Sequence, residues 1–214
     1  MQQLGFDFLN KDDHNINNFI IHSGNVDAYY FLNRNKEDEN ILNNQVIFLT
    51  GEKKCGKTYL GMIWKQKHNA KNINYADLLD LNFDDFMRYI TSKIEQFDHY
   101  FMDNFDENLD ENRLFYLLNS ILNNKSSILV AGEFSVLKKK IKLKDLASRI
   151  NSAAHLKIKK LPKDIKPMFI AKLFSDRQLY ISGEMLKYLT KKLETKYESI
   201  VNFIDLVLDK FPEK

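Results

Sequence analysis

The stretch QVIFLTGEKKCGKTYLGMIWKQKH, residues 45–68, decides the fold. Its first part, QVIFLT, is a short apolar run that leads into Gly51, which is typical of a buried strand. The next letters, GEKKCGKT, match the pattern G-x-x-x-x-G-K followed by Ser or Thr, and a segment of helical spacing comes after them. In that context the N–H groups of the loop point at phosphate, and the helix N-terminus adds a favourable dipole. The stretch therefore predicts a strand, a phosphate-binding loop and a helix.

The residues of this loop have predicted roles toward a bound nucleotide. Lys57 would reach the β and γ phosphates, and Thr58 would ligate Mg²⁺. Cys55 is a small residue that fits the loop, and we expect its thiol to be exposed enough for alkylation. The residues predicted to bind nucleotide here are Gly51, Glu52, Lys53, Lys54, Cys55, Gly56, Lys57, Thr58 and Tyr59.

A second part of the phosphate site is predicted at the end of the apolar run HYFMD, residues 99–103. Asp103 is an acidic residue placed to hold the Mg²⁺ shell. Asn104 follows it in the same predicted site, and its amide cannot act as a general base. We therefore expect weak or no intrinsic hydrolysis of ATP, unless Asp106 or Glu107 in the following loop substitutes.

The remaining chain alternates between apolar runs and segments of helical spacing as far as Pro162. Further strands are predicted at INYA, HYFMD, SSILVAG and HLKIKKL, and helices at VDAYYFLNR, KTYLGMIWKQKH, FDDFMRYITSKIEQ, ENRLFYLLNSILNN and KDLASRIN. Strands that alternate with helices predict a parallel sheet with helices on both faces. From residue 163 to 214 the strands stop, and DIKPMFIAKLFSDRQ, SGEMLKYLTKKLE and ESIVNFIDLVLDK predict three helices. We thus predict an α/β nucleotide-binding core over residues 11–162 and a helical subdomain over 163–214.

Composition limits the class of protein. With 214 residues, of which 44% are hydrophobic, the chain can bury a core, and its net charge of +3 does not demand general affinity for polyanions. Cys55 is the one cysteine, so no intramolecular disulfide can form. The N-terminus lacks the pattern of a signal peptide, and no segment approaches the roughly 18 apolar residues of a membrane span. We therefore expect a cytoplasmic protein that does not enter a membrane.

The opening residues QLGFDF, at 3–8, place large apolar side chains where a chain end is usually solvated. Leu4, Phe6 and Phe8 need an apolar partner, either the body of this chain or another protein. An extended peptide can place the amide of Gln3 in a polar corner of a partner and its aromatic rings in an apolar pocket. On these residues alone, both interpretations stay open.

Together these features resemble the AAA+ ATPases and, within them, the DnaA-like branch. The segment NNFIIHSGNVDAYYF is similar to the motif that lines the adenine pocket in that branch, with matches at Phe19, Ile20, Ile21, Asn25 and Ala28. DLASRI, residues 145–150, is similar to the arginine-finger motif and makes Arg149 the finger. The resemblance implies an AAA+ P-loop NTPase core with a five-stranded parallel sheet and a small all-α lid, with ATP or ADP and Mg²⁺ as cofactors.

Within the DnaA-like branch, the chain resembles the Hda group of short homologues, since we expect no helix-turn-helix domain after the lid. That resemblance implies a regulator of replication initiation whose Arg149 stimulates, in trans, the hydrolysis of ATP bound to DnaA. It also implies that residues 1–10 bind the sliding clamp of DNA polymerase III through Gln3, Leu4, Phe6 and Phe8. No sequence-specific DNA binding is expected, and a homodimer is compatible with the resemblance.

The chain departs from the branch at two places, and alternatives remain. Residues 132–135 only loosely resemble the sensor of the branch, and its second-sensor arginine would align near Glu198, whose carboxylate would repel phosphate. Lys192 or Lys196 would compensate in a shifted register, so the preference for ATP or ADP stays open. One alternative function is a helicase-loader-like ATPase that binds single-stranded DNA through basic residues near Lys140. Others are a clamp-tethered adaptor without nucleotide function and, more distantly, a nucleotide kinase.

Overall fold

The computed structural model describes residues 18–34, 44–105, 110–133 and 141–210. Its centre is a five-stranded parallel sheet in the order β2-β3-β4-β1-β5. The strands are β1 (Val46–Gly51), β2 (Lys71–Ile73), β3 (His99–Phe105), β4 (Ser127–Gly132) and β5 (Ala154–Ile158). Because β1 lies between β4 and β5, the loop that follows it opens next to the ends of β4 and β5.

Helices connect the strands and follow the last one. They are α1 (Val26–Leu32), α2 (Lys57–His68), α3 (Tyr75–Asp80), α4 (Phe83–Lys93), α5 (Glu111–Asn123), α6 (Lys144–Ser152), α7 (Lys166–Ser175), α8 (Gly183–Lys192) and α9 (Tyr197–Lys210). Side-chain caps begin three of them. Asn82, Asp110 and Ser182 each accept a hydrogen bond from the backbone N–H three residues later, which satisfies a donor at the helix start.

The sheet is buried on both faces, as a parallel sheet requires. Along β1, Ile47 and Leu49 point to one face, while Val46 and Phe48 point to the other. Residues of α1 and α2 cover the first face, and residues of α3 to α6 cover the second. The buried residues of α7, α8 and α9 belong to the same core as the first face, so the C-terminal helices pack on the side of the sheet that carries the loop helix α2.

The predicted α/β architecture with a parallel five-stranded sheet is confirmed, and so are its predicted strands and helices apart from one region. The strand predicted at INYA covers Lys71–Ile73, and Tyr75–Asp80 forms α3 instead. Tyr75 and Leu78, one helical turn apart, are both buried. The guanidinium of Arg113 donates to the carbonyls of Leu79 (3.1 Å) and Leu81 (2.7 Å) at the end of α3, contacts that a local pattern does not reveal.

Several predictions fall outside the described residues. They concern the clamp-binding residues Gln3, Leu4, Phe6 and Phe8, the loop acids Asp106 and Glu107, the sensor residues after Glu133, and Lys140. The division into a core and a helical subdomain at residue 162 stays a prediction. Within the described ranges, every helix is too short or too polar to cross a membrane.

Candidate functional site

The loop between β1 and α2 depends on two glycines. A Cβ atom on Gly51 would lie 2.6 Å from the Cys55 sulfur and 3.0 Å from the carbonyl oxygen of Ile158. Gly56 has φ 96°, in the left-handed region that other residues rarely adopt, and the helix begins at the next residue. These two positions allow the chain to turn tightly from the sheet into α2.

Lys57 is the first residue of α2, and its side chain reaches back to this loop. Its Nζ donates hydrogen bonds to the carbonyl oxygens of Gly51 (3.0 Å) and Glu52 (2.7 Å). The ammonium is thus held at the mouth of the loop, where it can exchange these bonds for charge-assisted bonds to a phosphate. Gly51 and Glu52 do not line the cavity that lies in front of the loop. Their carbonyl oxygens instead hold the Lys57 ammonium in place.

The expectation that Cys55 is exposed was wrong. The side chain is 5% exposed because it fills the space beneath the loop beside Gly51. Burial raises the pKa of the Cys55 thiol, and the charge of Lys57 acts in the opposite direction. A raised pKa and burial both disfavour the reactive thiolate, so alkylation of Cys55 is a poor probe of this site.

In front of the loop lies a cavity of about 640 Å³, which we call the phosphate cavity. It is lined by Lys53, Lys54, Cys55, Gly56, Lys57, Thr58, Tyr59, Asp103, Asn104, Phe105, Gly132, Glu133 and Glu198. The structure thereby brings the predicted loop residues together with the predicted acid Asp103 from β3. It adds Glu133 at the end of β4 and Glu198 on α9, so three elements that are distant in sequence surround the loop.

The end of β3 presents Asp103 and Asn104 through an irregularity in the sheet. The register between β3 and β4 shifts between Met102 and Phe105, and Asn104 has φ 53°. Such a bulge redirects side chains, and asparagine tolerates the left-handed conformation. Asp103 and Thr58 line the same cavity, which fits the few protein oxygen ligands that Mg²⁺ takes when a nucleotide supplies others. When bound, the ion would neutralise charge on the phosphates.

A smaller cavity of about 170 Å³ adjoins the loop, and we call it the apolar cavity. It is lined by Asn18, Phe19, Ile20, His22, Asn25, Lys54, Cys55, Gly56, Tyr59, Phe169, Lys172, Leu173, Asp176, Tyr197 and Val201. Loop residues line both cavities, so a molecule with an apolar ring and a phosphate chain could occupy them together. The apolar residues from α7 and α9 were not predicted, although Phe169 and Leu173, and Tyr197 and Val201, recur at helical i, i+4 spacing.

The residues predicted for the adenine pocket divide into two groups. Phe19 and Ile20 line the apolar cavity, and the Phe19 ring stacks between Tyr29 and Tyr59 at centroid distances of 5.9 and 5.7 Å. Ile21 is 40% exposed and does not line it, which corrects that expectation. Ala28 also lies outside it, in the core.

Asn25 shapes the same segment through its side chain. Its Oδ1 accepts a hydrogen bond from the N–H of His22 (2.9 Å), and its Nδ2 donates to the carbonyl of Ile20 (2.8 Å). Both ends of the amide are therefore used to hold the chain segment that borders the apolar cavity. Asn25 is 2% exposed, so we assign it a role in shaping the cavity rather than in direct contact with a ligand.

A buried histidine joins this segment to α9. Nδ1 of His22 accepts from the N–H of Gly24 (3.0 Å), which leaves Nε2 as the protonated nitrogen facing the hydroxyl of Tyr197 (3.1 Å). Tyr197 in turn donates to the carbonyl of Lys159 (3.4 Å). Burial lowers the pKa of His22, and the charge of Asp164 opposes that effect. The neutral ring thus connects three segments around the apolar cavity.

Arg149 lies at the other end of the sheet. It belongs to α6 and lines a cavity of about 420 Å³ together with Asn44, Gln45, Val46, Leu122, Asn123, Ser152, Ala153 and Ala154. Val46 begins β1 and Ala154 begins β5, whereas the phosphate loop follows the end of β1. The five residue-to-residue steps of β1, at about 3.3 Å each, separate its two ends by roughly 17 Å. Arg149 therefore lies outside the reach of this chain's own phosphate cavity.

The five arginines of the sequence differ in their surroundings. Arg34 lies 4.5 Å from the centroid of the Phe31 ring, Arg88 pairs with Asp85 at 3.0 Å, Arg113 binds carbonyls, and Arg177 pairs with Asp205. In the part of the chain that the structure describes, the Arg149 guanidinium has no hydrogen bond, ion pair or aromatic contact. Its charge faces the cavity without a partner there.

Sequence comparisons find no relative of the chain, since no protein-family profile and no curated protein matches it. Solved structures do match. Domain III of the Thermotoga maritima replication initiation protein DnaA has a TM-score of 0.72 and 14% identity, over 95% of this chain and 92% of that one. A replication initiator DnaA bound to AMPPCP and single-stranded DNA has a TM-score of 0.69 and 20% identity, over 95% and 69%.

A third match is a crystallised DNA replication initiation factor, with a TM-score of 0.70 and 20% identity over 95% of this chain. The chain spans 66% of that protein, slightly less than two thirds of its length. At these identities the likeness concerns the fold. The chain has the α/β fold of the AAA+ P-loop NTPases, in the form found in domain III of DnaA.

Proposed function

We propose that the chain binds ATP or ADP with Mg²⁺ across the phosphate cavity and the apolar cavity. Lys57 and the loop N–H groups would hold the phosphates, Thr58 and Asp103 the ion, and Phe19 with its neighbours the base. Three observations support this proposal: the loop sequence, the side-by-side position of a charged and an apolar cavity, and the similarity to a DnaA structure that holds AMPPCP.

We also propose that the chain acts on a second nucleotide-binding protein through Arg149. The observation that carries this proposal is the Arg149 guanidinium, which has no partner among the described residues and lines a cavity at the end of the strands opposite the chain's own loop. A planar guanidinium can stabilise the charge of a phosphoryl group in transfer, and supplied in trans it accelerates hydrolysis by about 10³- to 10⁵-fold. Because the chain's own phosphate cavity lies at the other end of β1, Arg149 would instead reach the nucleotide site of another protein.

The partner proposed is DnaA, so that the chain would regulate replication initiation by stimulating hydrolysis of DnaA-bound ATP. The support is the similarity of fold to DnaA domain III and the resemblance of DLASRI to an arginine-finger motif. The opening peptide, with Gln3, Leu4, Phe6 and Phe8, would hold the chain on the sliding clamp. The support for that step is the sequence pattern alone. Clamp binding would raise the local concentration of the chain near its target.

The chain's own hydrolysis is proposed to be weak. Asn104 follows Asp103 in the phosphate cavity and offers an amide where a general base would be needed. The cavity does contain two carboxylates from other elements, Glu133 and Glu198. Glu133 is engaged with Lys53, whose ammonium lies 3.7 Å away. Slow turnover in the absence of a partner is therefore expected.

The test is the hydrolysis of ATP already bound to DnaA, in the presence of clamp loaded on DNA. Wild type is expected to accelerate it, while Arg149→Ala and the alanine replacement of Gln3, Phe6 and Phe8 lose the effect. Arg88→Ala, which removes an exposed arginine on α4, is the matched control and should retain it.

If wild type leaves the rate unchanged although DnaA and clamp are active, the action in trans is wrong. A DnaA-type structure binds single-stranded DNA, so the same preparation should then be assayed for its own ATP turnover with that DNA. Turnover stimulated by single-stranded DNA would favour the helicase-loader alternative. Absence of nucleotide binding would favour the clamp-tethered adaptor.

A further inference from the structure

Two histidines lie against each other at the end of the sheet opposite the phosphate loop. His68 is the last residue of α2, and His99 is the first residue of β3. Their ring centroids are 5.0 Å apart, with an angle of 62° between the ring planes. Because α2 begins at Lys57 and rises about 1.5 Å per residue, His68 lies roughly 17 Å further along the helix. The pair lines neither the phosphate cavity nor the apolar cavity.

The separation of the two rings fits a shared metal ion. Two imidazole nitrogens that each lie about 2.1 Å from one Zn²⁺, at the tetrahedral angle, place their ring centroids roughly 5 Å apart. Nε2 of His68 and Nδ1 of His99 are buried, while each residue as a whole is only half-buried, which places the pair close to solvent. The two rings thus have the spacing and the access that a metal site needs.

A buried tryptophan lies against both histidines. Trp64, one helical turn before His68, has its ring centroid 5.0 Å from that of His68 and 5.7 Å from that of His99. Its side chain is fully buried, and its indole N–H has no hydrogen-bond partner among the described residues. This group can only donate, and burying a donor without an acceptor costs free energy. An oxygen atom bound in the cluster would supply the acceptor.

The charges at this end of α2 are compatible with a bound cation. The carboxyl end of a helix carries partial negative charge, which favours a cation beside His68. Lys67 donates to the carbonyl of Arg34, and the ammonium of Lys71 lies over the Phe97 ring, 5.6 Å from its centroid. Both lysines that flank His68 are thus directed toward other groups. Among the described residues no third His, Cys, Asp or Glu side chain joins the pair, so water would complete the coordination.

We propose that His68 and His99 bind one divalent transition-metal ion, which we assign to Zn²⁺, and that this ion ties the end of α2 to the start of β3. The two imidazoles would supply two ligands, and water would fill the other positions and accept from the Trp64 indole. Imidazole binds Zn²⁺, Ni²⁺ and Cu²⁺, whereas Mg²⁺ takes oxygen ligands, so the site would discriminate against the Mg²⁺ of a nucleotide. This inference goes beyond the proposed function and does not depend on it.

The test uses the full chain without a histidine tag, because a tag would bind the same ions. Trp64 is the one tryptophan of the sequence, so its fluorescence reports on this cluster. Ni²⁺, whose d shell is unfilled, should quench that fluorescence and saturate at one ion per chain. Excess Zn²⁺, whose d shell is full, should displace Ni²⁺ and restore the signal. Mg²⁺ should neither quench nor displace.

Variants locate the site. His68→Gln and His99→Gln should each weaken Ni²⁺ binding by at least about tenfold, since even a residue that only supports a metal ligand contributes about 10- to 100-fold. His155→Gln is the matched control, because His155 is an exposed histidine whose ring stacks on Phe48, and it should bind as wild type does. Zn²⁺ should raise the thermal unfolding midpoint of wild type and of His155→Gln, but not of His68→Gln.

Two results would overturn the inference. One is Trp64 fluorescence that Ni²⁺ leaves unchanged, and the other is binding by His68→Gln and His99→Gln that equals wild type. If a glutamine variant does not fold, the imidazole proton signals of wild type decide instead. Zn²⁺ should shift the signals of two of the five histidines, and a titration that shifts none of them overturns the site.

Discussion

A cation lies near each end of β1, and the two cations differ in their surroundings. After its last residue, Lys57 is held by two carbonyl oxygens of its own loop, within a cavity that three elements complete. Beside its first residue, Arg149 faces a cavity without a partner among the described residues. A cation that its own chain holds in place belongs to a preformed site. The proposed action of Arg149 on another protein depends on this difference.

The largest effect should come from a change that keeps the charge of Arg149 and removes its planar fork. Arg149→Lys is expected to lose most of an acceleration of about 10³- to 10⁵-fold, because an ammonium cannot make the same two-pronged contact with a phosphoryl group. Single-turnover hydrolysis of ATP bound to DnaA measures it, with Arg88→Lys as the control. Retention of the full effect by Arg149→Lys would mean that positive charge alone suffices at that end of β1.

At the other end, Lys57→Ala should weaken the chain's own affinity for ADP by roughly 10- to 100-fold, the equivalent of losing charge-assisted hydrogen bonds to the phosphates. Titration calorimetry measures the affinity. Lys187→Ala, which removes an exposed lysine on α8, should bind as wild type does. Equal affinities for wild type and Lys57→Ala would show that the loop lysine is not part of a preformed site.

The packing of α2 against the sheet can be tested at Gly61. A Cβ atom there would lie 2.3 Å from the Phe101 ring, so Gly61→Ala should lower the free energy of unfolding by about 1–3 kcal/mol despite the better helix propensity of alanine. Urea unfolding measures it. Gly183→Ala has nothing within 4 Å of the added atom and should change stability by no more than about 0.5 kcal/mol. A stable Gly61→Ala would mean that α2 and its loop can shift.

The smallest effect concerns His22, which joins the apolar cavity to α9. Because burial lowers its pKa in the folded protein below the ordinary value of 6.5, the unfolded chain binds the proton first as pH falls. Stability should therefore be complete above pH 6.5 and decrease below it, with a slope from this residue of at most about 1.4 kcal/mol per pH unit.

Urea unfolding at a series of pH values measures this slope. His22→Asn keeps an acceptor for the N–H of Gly24 and removes the titrating group, so its slope should be smaller than that of wild type. Equal slopes would show that His22 does not contribute to the pH dependence.

Local patterns predicted most of the fold. Alternating apolar runs and helical segments identified the strands and all helices except α3, which depends on the distant Arg113. The loop residues were predicted because the glycine pattern is a contiguous signature. Cys55 was placed wrongly at the surface, since its burial depends on Gly51 and on β5 beside it. The residues of α7 and α9 that line the apolar cavity were missed because only packing brings them there.

The sequence by itself determined the order of strands and helices, the phosphate loop, and the residue types available for chemistry. These follow from hydrophobic period and from glycine positions, which act over a few neighbouring residues. Only the tertiary structure decided that Glu198 lines the cavity in front of the loop and that Arg149 lies at the opposite end of the strands. Both depend on how parallel strands are ordered across β1 and on how α9 packs against the core, and those contacts join residues far apart in the chain.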